Sequence, residues 1–144
     1  MLFRSVIPVL IPAGMCEAIS ASQARCMYVC NIMTQPGQTD GFTASQHVTW
    51  LENYLGRPVD VVVCHQGTLP AALAGRYAAQ GALPVVNDLQ DSAALVYCAD
   101  LVEHPDAETV HGYARPQGTE MLAGLHLIRH DSAKLAALIM QLAA

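Results

Sequence analysis

The stretch Thr34-Gln35-Pro36-Gly37-Gln38-Thr39-Asp40-Gly41 is where this chain's residue types best suit ligand chemistry. It leaves an apolar run, residues 26–33, and enters residues 43–55, which have helical spacing. A loop at the carboxyl end of a parallel strand is where open α/β sheets bind ligands. The first N–H groups of the following helix point into such a loop, and with the helix dipole they favour phosphate or carboxylate. Thr34, Gln35, Thr39 and Ser45 supply amide and hydroxyl partners. Gly37 and Gly41 let backbone approach a ligand closely. Asp40 suits a sugar hydroxyl, an ion or a proton. His47, in the first helical turn, is placed to titrate near neutrality. Pro36-Gly37 and Asp40-Gly41 are also ordinary turn formers, so composition leaves a plain structural loop open beside a site.

Other clusters are weaker. Arg129-His130-Asp131 emerges on the same edge if residues 125–128 form a parallel strand. Arg129 then offers a fixed positive charge to an anion. Asp131 reads equally as a helix cap. Cys64-His65-Gln66-Gly67 follows the second strand; it reads as a buried cysteine before a turn, because a reactive thiolate needs an open, electropositive setting. Asn87-Asp88 is a similar, weaker case. The tract 104–111, with His104, Asp106, Glu108 and His111, reads as solvated loop. The glycine-rich phosphate loops GxGxxG and GxxxxGK[ST], the GxSxG elbow and HExxH are absent. Spacing alone assigns no catalytic residue, and no metal set is read.

These groups need a scaffold. Residues 26–33 and 59–64 are short apolar runs that read as strands covered on both faces. Between them Val48, Leu51 and Leu55 mark one face of a helix over 43–55, with Thr43 or Ser45 as cap and Gly56 as stop. The pattern predicts a parallel βαβ unit. It continues with a helix over 69–80, a short strand over 83–87, a strand over 94–101, a long loop over 103–118, a last strand over 125–128 and a helix over 132–142 capped by Asp131. A further helix is expected over 14–23. The sum is one α/β domain over 1–144, Rossmann-like, with a mostly parallel sheet and helices on both faces.

Composition narrows the function. The chain has 144 residues, 53% hydrophobic and 13% charged, with a net charge of −5. Lys134 is the single lysine. Without a basic cluster, nucleic acid is not an expected partner, and the acidic balance argues against anionic membranes. Five cysteines, Cys16, Cys26, Cys30, Cys64 and Cys98, form an odd set that fits a reduced, cytoplasmic protein. The apolar start is too short to span a membrane and is broken by Pro8 and Pro12, unlike a signal peptide.

The run Tyr28-Val29-Cys30-Asn31-Ile32-Met33-Thr34-Gln35-Pro36-Gly37-Gln38-Thr39-Asp40-Gly41-Phe42 resembles the signature YVCN(I/L/V)MTQPGETDG(F/Y) of the YvcK-type proteins, also called gluconeogenesis factors. Ser5-Val6-Ile7-Pro8 and Arg129-His130-Asp131 with Lys134-Leu135-Ala136 are similar to flanking family segments. The resemblance covers nearly the whole chain, as the C-terminal portion of a longer protein. It implies a Rossmann-like fold related to the transferase CofD. It also implies binding of a nucleotide sugar such as a UDP-sugar, and regulation of carbon metabolism and of cell envelope and cell shape in bacteria. On this reading Asn31, Thr34, Gln35 and Thr39 bond the ligand, Gly37 and Gly41 admit it, Asp40 contacts a hydroxyl or ion, and Arg129 with His130 balances phosphate. The chain departs from the family where Gln38 stands for Glu, Gln46 for Asp and His65-Gln66 for Asn-Asn, and where the glycine-rich N-terminal half is missing. The alternatives are a CofD-like 2-phospho-L-lactate transferase, using Mg2+, and a truncated domain acting through protein contacts. An exposed sheet edge in such a fragment predicts homo-oligomers.

Overall fold

Val61, Val62 and Val63 are each at most 1% exposed, and around this β-branched run the sheet is built. The computed structural model describes residues 6–103 and 128–143. The expected loop 103–118 and strand 125–128 lie outside the described residues, apart from Glu103 and Ile128, and so does the tract 104–111. Three strands, β1 (Met27–Val29), β2 (Val61–His65) and β3 (Leu95–Ala99), stand side by side in the order β1-β2-β3. All pairings are parallel, with Val29 opposite Val63 and Cys64 opposite Cys98.

Among the described residues five helices accompany them: α1 (Ile7–Leu10), α2 (Met15–Ala21), α3 (Ala44–Leu55), α4 (Ala71–Ala79) and α5 (Ser132–Ala143). Because side chains alternate along a strand, β2 feeds two cores. Val62 and Cys64 join Tyr28 and Cys30 under Val48, Leu51 and Leu55 of α3 and Ile7 and Leu10 of α1. Val61 and Val63 join Leu101 on the opposite face, against Leu135, Leu138 and Leu142 of α5. Helices therefore cover both faces, as the uninterrupted valine run implies.

Local chemistry sets the helix ends. Thr43 caps α3 in a reciprocal box with Gln46, and Gly56 closes it in the left-handed region at φ +68°. Asp131 caps α5 by accepting from the N–H groups of Ala133 at 2.9 Å and Lys134 at 3.0 Å. Two expectations need correction. The first strand is shorter than residues 26–33: its last rung is the N–H of Cys30 to the carbonyl of Val63, at 2.8 Å. Residues 83–87 form no strand of the sheet. Pro84 has no N–H to give a ladder, and it makes an isolated antiparallel bridge to Met33. Thr34 N–H to Leu83 C=O and Val85 N–H to Ile32 C=O flank that bridge. The segment thus crosses beyond the carboxyl end of β1, and α1, unsuspected from the sequence, fills one end of the core.

Candidate functional site

The loop after β1 is held by its own polar groups. Thr39 is fully buried, and its Oγ1 accepts the N–H of Gln35 at 2.8 Å. Thr34, also buried, accepts the N–H of Leu83 at 2.8 Å. Asp40 is exposed and accepts the N–H of Gly37 at 2.7 Å. Gly37 and Gly41 take φ +75° and +68°, where a side chain would be strained. These bonds give Thr34, Thr39 and Asp40 structural duties inside the loop.

The start of α3 is also occupied, which corrects the expected anion cradle. The N–H of Ser45 donates to Oδ1 of Asp88 at 2.8 Å and its hydroxyl to Oδ2 at 2.7 Å. The N–H of Ala44 goes to the carbonyl of Val86 at 2.9 Å. Partial burial opposes ionisation of Asp88, but the bonds from Ser45 outweigh it and hold the carboxyl below its usual range. The helix dipole has recruited an anion from the chain itself. Asp88→Ala is expected to destabilise the fold by about 1 kcal/mol, as lost caps do. Sulfate should then stabilise the variant more than the parent in urea unfolding, because the vacated N–H groups accept it.

His47 is fully buried, with Nδ1 2.8 Å from the carbonyl of Thr43 and its ring edge-on to Phe42. Burial pushes its pKa down, so near neutrality it is an uncharged core residue and Nδ1 carries the donated proton. Arg129 is exposed and faces Glu103 at 3.9 Å. Burial, and then the neighbouring His65, lower the pKa of His130. His130 bridges to Val102. Neither Arg129 nor His130 lines the cavity described next.

That cavity, of about 450 Å³, opens at the carboxyl ends of β1 and β2. Cys30, Asn31 and Ile32 line it from the chain just after β1, Cys64 and His65 from β2, and Gly67 and Thr68 from the turn after β2. Ala44 and Ala74 contribute from α3 and α4, and Val85 and Asn87 from the crossing segment. Of the residues singled out in the first loop, Asn31 alone lines it; it meets there the weaker clusters at 64–67 and 87. Nδ2 of Asn31 is buried and has no hydrogen-bond partner. His65 is nearly buried, and its Nδ1 accepts the N–H of Leu101 at 3.1 Å, which leaves the ring proton on Nε2. At Gly67, φ +154°, a Cβ would stand 3.2 Å from Cε1 of His65 and 3.4 Å from Oδ1 of Asp100, so only glycine fits without displacement. Lys134 holds Asp100 from the far side at 3.3 Å. The start of α4, at Pro70, has no side-chain cap. At the cavity, the helix start without a side-chain cap is therefore that of α4 rather than α3, and Thr68-Leu69-Pro70 is the sequence signal for it.

A parallel sheet covered by helices, with a crevice beyond its carboxyl edge, defines a Rossmann-like α/β protein. The family model for 2-phospho-L-lactate transferase CofD matches residues 1–102, and the chain belongs to that family. A gluconeogenesis factor from Halalkalibacterium halodurans is 42% identical over 88 residues, 60% of this chain and 27% of its own length. The gluconeogenesis factor of Bacillus subtilis is 27% identical over 142 residues, 98% of this chain and 40% of its own. A crystal structure of a UPF0052 family member from Bacillus halodurans superposes with a TM-score of 0.77 at 30% identity, covering 96% of this chain and 39% of the other. The chain thus spans well under half the length of these relatives.

Proposed function

We propose that these residues form part of a pocket for a nucleotide sugar or a related phosphorylated ligand, in a cytoplasmic protein that regulates carbon metabolism and cell-envelope and cell-shape processes. The observation that carries this reading is the buried, unpartnered Nδ2 of Asn31 in the carboxyl-edge cavity. A buried donor without a partner costs about 1–3 kcal/mol, and an oxygen of a bound ligand removes that cost. The uncapped start of α4 beside Thr68 supports phosphate there. Asn87 and Thr68 add hydroxyl and amide groups suited to a sugar. The names of the relatives support the link to carbon metabolism.

Calorimetric titration of the chain with UDP-N-acetylglucosamine, UDP and inorganic phosphate tests this. Saturable heat is expected for the nucleotide sugar, with weaker binding of UDP and weakest of phosphate. No heat from any of the three would overturn it.

The family model supports a second reading, a transferase that moves a phosphate ester onto an acceptor. Among the described residues no group of three His, Cys, Asp or Glu is placed to hold a metal, and Asp40 and Asp88 are already engaged. The described residues alone do not fit a Mg2+ ion. Turnover of a phospholactyl donor with a deazaflavin acceptor would favour this reading over a purely regulatory one.

A further inference from the structure

We propose that Cys30 and Cys64 are a redox-active thiol pair, which a hydroperoxide converts to a disulfide joining β1 to β2 at the wall of the cavity. Strand register carries the argument. Val29 lies opposite Val63, and the N–H of Cys30 continues the ladder to the carbonyl of Val63 at 2.8 Å. Cys30 and Cys64 are therefore the next cross-strand pair. Their side chains share one face of the sheet, in the same core cluster as Tyr28 and Val62. Neighbouring strands run about 4.8 Å apart, inside the roughly 4.4–6.8 Å between Cα atoms that a disulfide requires.

The register brings the two thiols close enough that each shifts the acidity of the other. Both are almost fully buried in the fold, at 2% and 3% exposure, yet both line the cavity. A small peroxide reaches them there, whereas a folded protein disulfide does not. Cys64 is the more acidic of the two: its interaction with Cys30 lowers its pKa, while the same interaction, followed by burial, raises that of Cys30. Cys64 is thus the attacking sulfur.

The step balances as a two-electron oxidation. The Cys64 thiolate attacks the near oxygen of the hydroperoxide and the O–O bond breaks. The products are a sulfenic acid on Cys64 and an alkoxide that takes up a proton. The sulfur of Cys30 then attacks that of Cys64, and the hydroxyl leaves as water with the proton of Cys30. Two thiols and one hydroperoxide become one disulfide, one alcohol and one water.

Cys98 is the competitor, since it lies opposite Cys64 on β3. It is exposed, and its sulfur accepts from Nδ2 of Asn87 at 3.2 Å, which holds it toward the crossing segment.

The test uses the full chain, folded and reduced, given brief exposure to hydrogen peroxide. Remaining thiols are alkylated in urea, and the protein is weighed intact and mapped by peptide mass. The expected result is loss of two hydrogens and a Cys30–Cys64 linked peptide as the main product, reversed by dithiothreitol. Cys98→Ala retains the link. Cys30→Ala abolishes it and leaves a sulfenic acid on Cys64 that dimedone traps. The proposal is overturned if Cys64 links chiefly to Cys98, or if all five thiols remain alkylatable. It is equally overturned if the Cys30–Cys64 peptide forms only when oxidation is done in urea. The parent chain's map decides between these outcomes even if a variant folds poorly.

Discussion

Cutting Leu101 back to alanine is expected to lower the free energy of unfolding by about 2–5 kcal/mol, the range for a buried leucine. Leu101 is 1% exposed and stands with Val61 and Val63 where α5 meets the sheet, beside Leu135, Leu138 and Leu142. Its backbone is fixed on both sides: its N–H donates to Nδ1 of His65 at 3.1 Å, and its carbonyl accepts the N–H of Asp131 at 2.7 Å. With backbone so held, the site collapses little around a smaller side chain, and the upper part of the range applies. Urea unfolding followed by circular dichroism measures the shift in midpoint. A change under about 1 kcal/mol would mean that α5 packs elsewhere, since surface substitutions fall below that. The variant should also expose amides of α5 to hydrogen exchange before those of β2, because α5 reaches the sheet through this one apolar seam.

What the sequence shows of this fold is what repeats at short range. The valine run at 61–63, the face Val48, Leu51 and Leu55, the cap at Thr43 and the stop at Gly56 are each local patterns. Each appears in the structure near its expected bounds. Residues 83–87 defeated the pattern because a β-like composition says nothing of partners, and Pro84 removes a rung. The site divides the same way. The loop 34–41 does lie beyond the carboxyl end of β1, but its threonines turn inward. Nothing near Thr39 in sequence says that the N–H of Gln35 will claim its hydroxyl. The occupation of α3 by Asp88 depends on a contact between residues 43 positions apart, and no spacing rule reaches that far. Asn31 is singled out by the family signature rather than by local pattern, and the structure places it at the cavity because β1 ends before it.

Replacing Asn31 with leucine should move stability and ligand affinity in opposite directions. In the free protein Nδ2 is buried and has no hydrogen-bond partner, so the amide is a burden. A side chain of similar volume with no donor removes it, and the variant should unfold at the same or a slightly higher urea concentration than the parent. Affinity for the nucleotide sugar should fall about tenfold to a hundredfold, the equivalent of a lost hydrogen bond in a buried site. Asn31→Asp gives the complementary result. It keeps the oxygen and loses the donor, and it adds a negative charge in a crevice proposed for phosphate, so both stability and affinity should drop. A residue whose amide served only the fold would behave otherwise. Leucine would then destabilise by 1 kcal/mol or more, as for a broken protein hydrogen bond, and leave binding unchanged. Urea midpoints for the three proteins, read beside their calorimetric titrations, separate the two cases. The stability arm decides whether the amide lacks a protein partner even if UDP-N-acetylglucosamine proves to be the wrong ligand.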